Sequence, residues 1–194
     1  MNTKTRILDT ALELFNQQGS HAVTTNHIAE AMQISPGNLY YHFKNKEEII
    51  RGLFARLDTT WDEVFSPGVE HPLTLSDLER LVQTNYEVMW RYRFFYREWM
   101  ALLPKDPLLA SQYQKVRKRG FEGFKELFKG FVVAGILQPT EAKNLHQLTQ
   151  ICWILSDFWL PFVELGGESI QSRHLQQGVC LMRQVLKPHL KEES

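Results

Sequence analysis

The chain has 194 residues, 43% hydrophobic and 23% charged, ordinary proportions for a globular protein with room for one large domain or a small and a medium one. Its 22 Lys/Arg balance 22 Asp/Glu, so bulk charge announces no nucleic-acid partner. Two cysteines make no disulfide framework, no apolar run reaches the ~18 residues that a membrane span needs, and the polar N-terminus enters a helix at once. These features together predict a cytoplasmic protein with reduced thiols, no signal peptide and no membrane partner.

Residues 3 to 18 carry Ile7, Leu8, Ala11, Leu12 and Phe15 at helical spacing, with Gly19 as the stop. Three helix starts then crowd into Thr24 to Ile50. Thr24 precedes the apolar positions Ile28, Ala29 and Met32 and can accept a hydrogen bond from the free N–H groups of a first turn. Ser35 repeats the device, and Pro36 loses nothing at a first helical position, where no N–H is needed. Asn45 and Glu48 have the spacing of a capping box, with Asn replacing the usual Ser or Thr. A short helix, a turn over Gln33 to Ser35 and a second short helix make a helix-turn-helix.

The second of these helices would show Asn38, Tyr41 and His42 on a polar side and Leu39, Tyr40 and Phe43 on an apolar one. Gly37, in its first turn, would let backbone come close to another surface, where N–H groups suit a phosphate. Lys46 opposes the dipole at the start of the next helix. Its placement points either to an external anion or to a solvated side chain offset by Glu47 and Glu48; beside Ser35, Gly37, Tyr41 and His42 the anion is preferred. Residues 1 to 65 hold six Lys/Arg against eight Asp/Glu, a balance of −2 that predicts few phosphate contacts, with Lys44 and Lys46 as the local cations.

The run from Thr24 to Lys46, and LYYHFKNKEE above all, resembles the helix-turn-helix signature of the TetR family of bacterial transcriptional regulators. The resemblance covers roughly the first third of the chain. It implies that Thr24, Thr25, Ser35, Gly37, Asn38, Tyr41, His42 and Lys46 hold phosphates and base edges of double-stranded DNA. Pro36 departs from the polar or basic residue that many relatives carry; without a donor it is left apolar contact with a thymine methyl.

Residues 46 to 65 continue with Ile50, Leu53, Phe54, Leu57, Trp61, Val64 and Phe65 as one stripe, a helix long enough to act as a lever. SPGVEHP, Ser66 to Pro72, breaks it and divides a DNA-binding domain (1–65) from a second domain (66–194). Helices are expected there at 74–91, 92–103, 106–134, 140–165 and 168–187. The fold class is all-α: a three-helix helix-turn-helix bundle joined by a long helix to a C-terminal helical domain for ligand binding and dimerisation.

The second domain is dense in aromatics, including Tyr86, Trp90, Phe94, Phe95, Tyr96 and Trp99, then Phe121, Phe124, Phe128 and Phe131, then Trp153, Phe158, Trp159 and Phe162. Such stripes are most often core, but wide flat side chains also wall apolar cavities between helices. The family resemblance implies a small apolar or amphipathic effector, with Trp90, Phe94, Trp99, Phe121, Phe124, Phe128, Trp153 and Asp157 as its candidate residues and Glu98 among further polar ones. KVRKR, Lys115 to Arg119, spreads around its helix as a solvated face. The last two helices carry apolar faces buried internally or shared with a second copy; the family's four-helix dimer interface and the short reach of one recognition helix favour a homodimer. Cys152 and Cys180 are expected as small core hydrophobes.

No HExxH pair, zinc spacing, Gly-rich phosphate loop or GxSxG elbow is present, so no enzyme, metal or cofactor is expected. The expected function is a ligand-controlled, DNA-binding transcriptional regulator, a repressor in preference to an activator, acting on a palindromic operator. The alternative, motivated by the −2 balance and Pro36, is a small-molecule-binding or protein-interaction module that has lost specific DNA binding.

Overall fold

The computed structural model describes residues 2–65 and 73–191. Helices occupy most of them: α1 (Thr3–Gln18), α2 (Thr25–Ala31), α3 (Pro36–His42), α4 (Lys46–Phe65), α5 (Leu75–Arg91), α6 (Arg93–Leu102), α7 (Pro107–Val133), α8 (Ala142–Leu165) and α9 (Ser172–Leu186), closed by a 3-10 turn at Lys187–His189. No strand forms among the described residues; the nearest approach is an isolated bridge between Leu137 and Leu190. The all-α expectation holds, and the predicted helix ends agree to within a few residues. The expected break at Ser66 to Pro72 lies outside the described residues.

The starts of the first helices follow their capping residues. Asn2 Oδ1 accepts the N–H of Lys4 at 2.7 Å, and the Gly19 N–H closes α1 on Phe15 O at 2.9 Å. The last helix begins at Ser172 rather than 168, because the chain leaves α8 through Gly166 and Gly167 and restarts only where the Gln171 N–H meets His174 Nδ1 (3.0 Å). Pro161 sits inside α8 without ending it.

Compactness separates the chain into two units: residues up to Thr59 with Tyr92–Gln112, and Thr60–Arg91 with residues from Tyr113 onward. A division at residue 65 did not anticipate that α6 and the start of α7 belong with the helix-turn-helix. The reason is packing. Phe94 and Phe95 are fully buried, worth about 1.5–3 kcal/mol each. Phe94 lies 5.2 Å from the Phe15 ring of α1, and Phe95 stands edge-on to Phe54 of α4 at 5.9 Å. Polar groups complete the join. Buried Asn16 of α1 accepts the Phe94 N–H through Oδ1 at 3.1 Å. Asp106 caps α7 by accepting the Leu108 and Leu109 N–H groups, each at 3.1 Å, and pairs with Arg51 of α4 at 2.5 Å.

In the second unit α9 packs on both α5 and α8, burying Leu175, Val179, Met182 and Leu186. Trp159 of α8 donates its indole N–H to His174 O at 2.7 Å, and Asn85 of α5 donates to Ser156 Oγ of α8 at 3.1 Å. Cys152 is buried as expected and its thiol is pushed up to about 12 by burial. Cys180 corrects the expectation: it faces solvent, because α9 buries Val179 and Met182 instead.

Candidate functional site

The helix-turn-helix is held from beneath by Ile28, Ala29, Leu39 and Phe43, all buried. Thr24 caps α2, its Oγ1 accepting the His27 N–H at 3.2 Å while the Thr24 N–H meets His27 Nδ1 at 3.4 Å. Ser35 caps α3 by accepting the Asn38 N–H at 3.2 Å, with Pro36 in the first turn. Between them Gln33 takes φ +56°, a left-handed turn that few side chains favour. Asn45 Oδ1 accepts the Glu48 N–H at 2.9 Å, but the returning Glu48 carboxylate takes the Lys44 N–H at 2.8 Å, one residue earlier than a standard box.

What α3 leaves uncovered is the candidate site. Ser35, Pro36, Gly37, Asn38 and Tyr41 are exposed, as are Thr24 and Lys44; Thr25 and His42 are half-buried. Tyr41 is 85% exposed, its ring edge-on to His42 at 5.2 Å. A Cβ added at Gly37 would meet nothing nearer than Ser35 Oγ at 4.0 Å, so no packing inside the protein calls for a glycine there. Tyr40 was assigned to the apolar side of α3, yet it is 47% exposed and its hydroxyl lies 3.2 Å from Thr25 Oγ1. It sits about 100° around the helix from Leu39, on the flank of the buried stripe rather than in it. That angle was the signal available in the sequence.

Lys46 is neither solvated nor free for an anion alone. Its ammonium donates to Ser20 O at 2.6 Å and Val23 O at 3.0 Å, tying the start of α4 to the loop that leads into α2. Glu98 of α6 grips the same loop: Oε1 accepts the Ser20 N–H at 2.8 Å and Oε2 accepts the Ser20 hydroxyl. Glu98, read from sequence as a candidate polar group for an effector, therefore belongs to the helix-turn-helix support.

The aromatic candidates divide in the same way. Phe94 and Trp99 are core of the first unit, where Trp99 stacks on Phe95 at 4.7 Å, so the expectation that they line an effector site is corrected by packing. In the second unit Phe128 is buried, while Trp90, Phe121 and Phe124 are half-buried. Phe121 and Trp153 face one another at 4.8 Å, and Trp153 lies so close to α7 that a Cβ at Gly120 would fall 2.4 Å from Trp153 Cη2. Beside them the Tyr113 hydroxyl donates to Asp157 Oδ2 at 2.9 Å. Burial pushes the Asp157 carboxyl up to about 6, against the Tyr113 hydroxyl, the Trp153 indole and the Arg117 guanidinium, which all favour the carboxylate. Tyr113 was not singled out from sequence; it lies 44 residues from Asp157, and only the pairing of α7 with α8 reveals it.

A bundle with this turn and this exposed helix defines a helix-turn-helix regulator. Comparison with known families is decisive: the profile described as "Bacterial regulatory proteins, tetR family" matches residues 7–53, and that of "TetR: Bacterial transcriptional repressor" matches residues 56–194. The chain belongs to the TetR family of bacterial transcriptional regulators. Among solved structures, a TetR-family regulator from Marinobacter aquaeolei is 33% identical with a TM-score of 0.90, over 98% of this chain and 92% of that one. The transcriptional repressor KstR2 of Rhodococcus jostii is 39% identical over 90 residues, and the regulator QacR of Staphylococcus aureus 43% identical over 63. These matches span 44% and 32% of this chain, and only 43% and 34% of the curated relatives' own lengths.

Proposed function

We propose that the chain is a homodimeric repressor whose grip on a palindromic operator is controlled by a small effector bound in the second unit. The observation that carries the DNA reading is the face of α3, where Gly37, Asn38, Tyr40 and Tyr41 stand exposed on a helix anchored by buried Leu39 and Phe43. Backbone that can approach closely, flanked by hydrogen-bonding side chains, suits a major groove. Thr24, Thr25, Ser35, Pro36, His42, Lys44 and Lys46 complete the proposed contact set. With Lys46 shared between loop carbonyls and DNA, phosphate contacts per half-site remain few.

One recognition helix reads too few bases, so two copies would present α3 to successive major grooves about 34–36 Å apart. The face offered for pairing is on α8, where Ile151, Ile154, Phe158, Phe162 and Leu165 are between 48% and 89% exposed. They recur at intervals of three, four and four residues before the last, which places them along one side of the helix. The effector reading rests on the Phe121, Trp153 and Asp157 cluster. It is supported by two proteins of the same fold, one from Saccharomonospora viridis in complex with choline and one, SmeT, in complex with triclosan. Helices α4 and α7 each contribute residues to both units, and effector binding would act through them. Moving operator occupancy from 99:1 to 1:99 requires about 5.5 kcal/mol of differential effector affinity.

The test is a mobility shift with the DNA upstream of the chain's own gene. Wild type binds as a dimer, and Tyr41→Ala with His42→Ala abolishes specific binding. Tight binding by the double variant overturns the assigned surface.

A further inference from the structure

Resting on the reading that α3 meets duplex DNA, we infer that Lys4, in the first turn of α1, is a further phosphate contact, held beside the end of α3 by the ring of Phe43. The placement follows from the packing of α1. Buried Leu8 and Phe43 come together against Gly52 of α4, where an added Cβ would lie 3.1 Å from Leu8 Cδ2 and 3.3 Å from Phe43 Cε1. Lys4 stands one helical turn before Leu8 and shares its side of α1. Its ammonium accordingly lies 5.4 Å over the Phe43 ring, close enough for the ring quadrupole to hold a cation. Phe43 closes α3, and its neighbours His42 and Lys44 already belong to the proposed contact set.

The charges around Lys4 leave its ammonium open to an external anion. Asn2 Oδ1 fixes the backbone by accepting the Lys4 N–H, and no acidic residue stands in the first turn of α1. The first acid along that helix, Asp9, is paired with Arg56 at 2.7 Å. Glu48, at the start of α4, is engaged with the Lys44 N–H. Among the described residues no carboxylate lies within ion-pair distance of Lys4. A cation in a first turn opposes the helix dipole. Lys46 has the same conflict on α4, but there the carbonyls of Ser20 and Val23 take the ammonium. Lys4 and Lys44 remain as exposed lysines beside the end of α3. A lysine is a point charge without a fork of donors, so Lys4 would position the duplex by its phosphates and read no base.

The experiment measures binding of the full chain, by fluorescence anisotropy across a salt series, to the DNA upstream of its own gene and to an unrelated duplex of equal length. Lys4→Gln, shown to be folded by its melting curve, weakens both duplexes by the same factor, because phosphates are alike in every sequence. It also lowers the slope of log affinity against log salt by about 0.9 for each copy bound. Lys4→Arg, which keeps the charge, retains the wild-type slope. Arg6→Gln removes the same charge about 200° around α1 and also retains it. A contact that only steadied the fold would move the melting temperature and leave the slope in place. A wild-type slope in Lys4→Gln, a loss confined to the upstream DNA, or an equal fall in Arg6→Gln overturns the inference. Should Lys4→Gln fail to fold, Lys4→Met, which keeps the stem over the ring, is read in the same way.

The two readings fail separately. Specific binding that is lost in the Tyr41→Ala, His42→Ala double variant but keeps its salt slope in Lys4→Gln retains the α3 surface and removes Lys4. Tight binding by that double variant, or no DNA binding by wild type, removes the α3 surface and Lys4 with it.

Discussion

Lys46 Nζ, in the first turn of α4, donates to the carbonyl of Ser20 at 2.6 Å, spanning the interval that contains both helices of the helix-turn-helix. The carboxylate of Glu98 holds the N–H and hydroxyl of the same serine. Ser20 is 3% exposed, so its polar groups depend on these two side chains.

Removing either partner therefore acts on the fold before it acts on DNA. Lys46→Met leaves two carbonyls short of a donor, and Glu98→Ala leaves Ser20 without its acceptor. Each should lower stability by about 1–3 kcal/mol, read as a lower urea midpoint at unchanged slope. The double variant should fall short of the sum, since both side chains order one loop.

At Gly37 fold and function should move in opposite directions. No protein atom opposes a Cβ there, and alanine is the better helix former by about 0.8–1.0 kcal/mol. Gly37→Ala should raise the melting temperature while weakening operator binding, measured by fluorescence anisotropy. Unchanged DNA affinity would remove Gly37 from the interface.

Tyr41→Ala separates the same two properties from the other side. An 85% exposed ring contributes little to folding, so stability should change by no more than about 0.5 kcal/mol. Operator affinity should fall by about 1–3 kcal/mol if the side chain reads or positions DNA.

Asp157 sets a pH dependence whose sign follows from its raised pKa. The carboxyl titrates near 6 when folded, against an ordinary value of 3.8. The folded chain thus holds a proton that the unfolded chain has released, and the charged form is penalised only when folded. That penalty, about 2–3 kcal/mol, is fully present above pH 6 and disappears as pH falls through 6 towards 4. Asp157→Asn should stabilise the chain at pH 7.5, and its advantage should shrink at pH 5, in paired urea titrations.

The sequence by itself determined the local structure and the class of protein. Capping residues act within three or four positions, so Thr24, Ser35 with Pro36, and Asn45 mark helix starts wherever the rest of the chain lies. The buried stripe of each helix is written in its own spacing, and LYYHFKNKEE carried the family. Tertiary structure alone decided what each polar or aromatic side chain meets. Lys46 finds carbonyls from residues 20 and 23, Glu98 finds Ser20, and Tyr113 finds Asp157. Phe94 and Trp99 go to the first unit's core, while Phe121 and Trp153 stay beside a carboxylate. Spacing along one helix says which residues share a side; it says nothing about which other helix, dozens of residues away, that side will touch. Hydrogen bonds and burial depend on that second fact, and it exists only once the helices have packed.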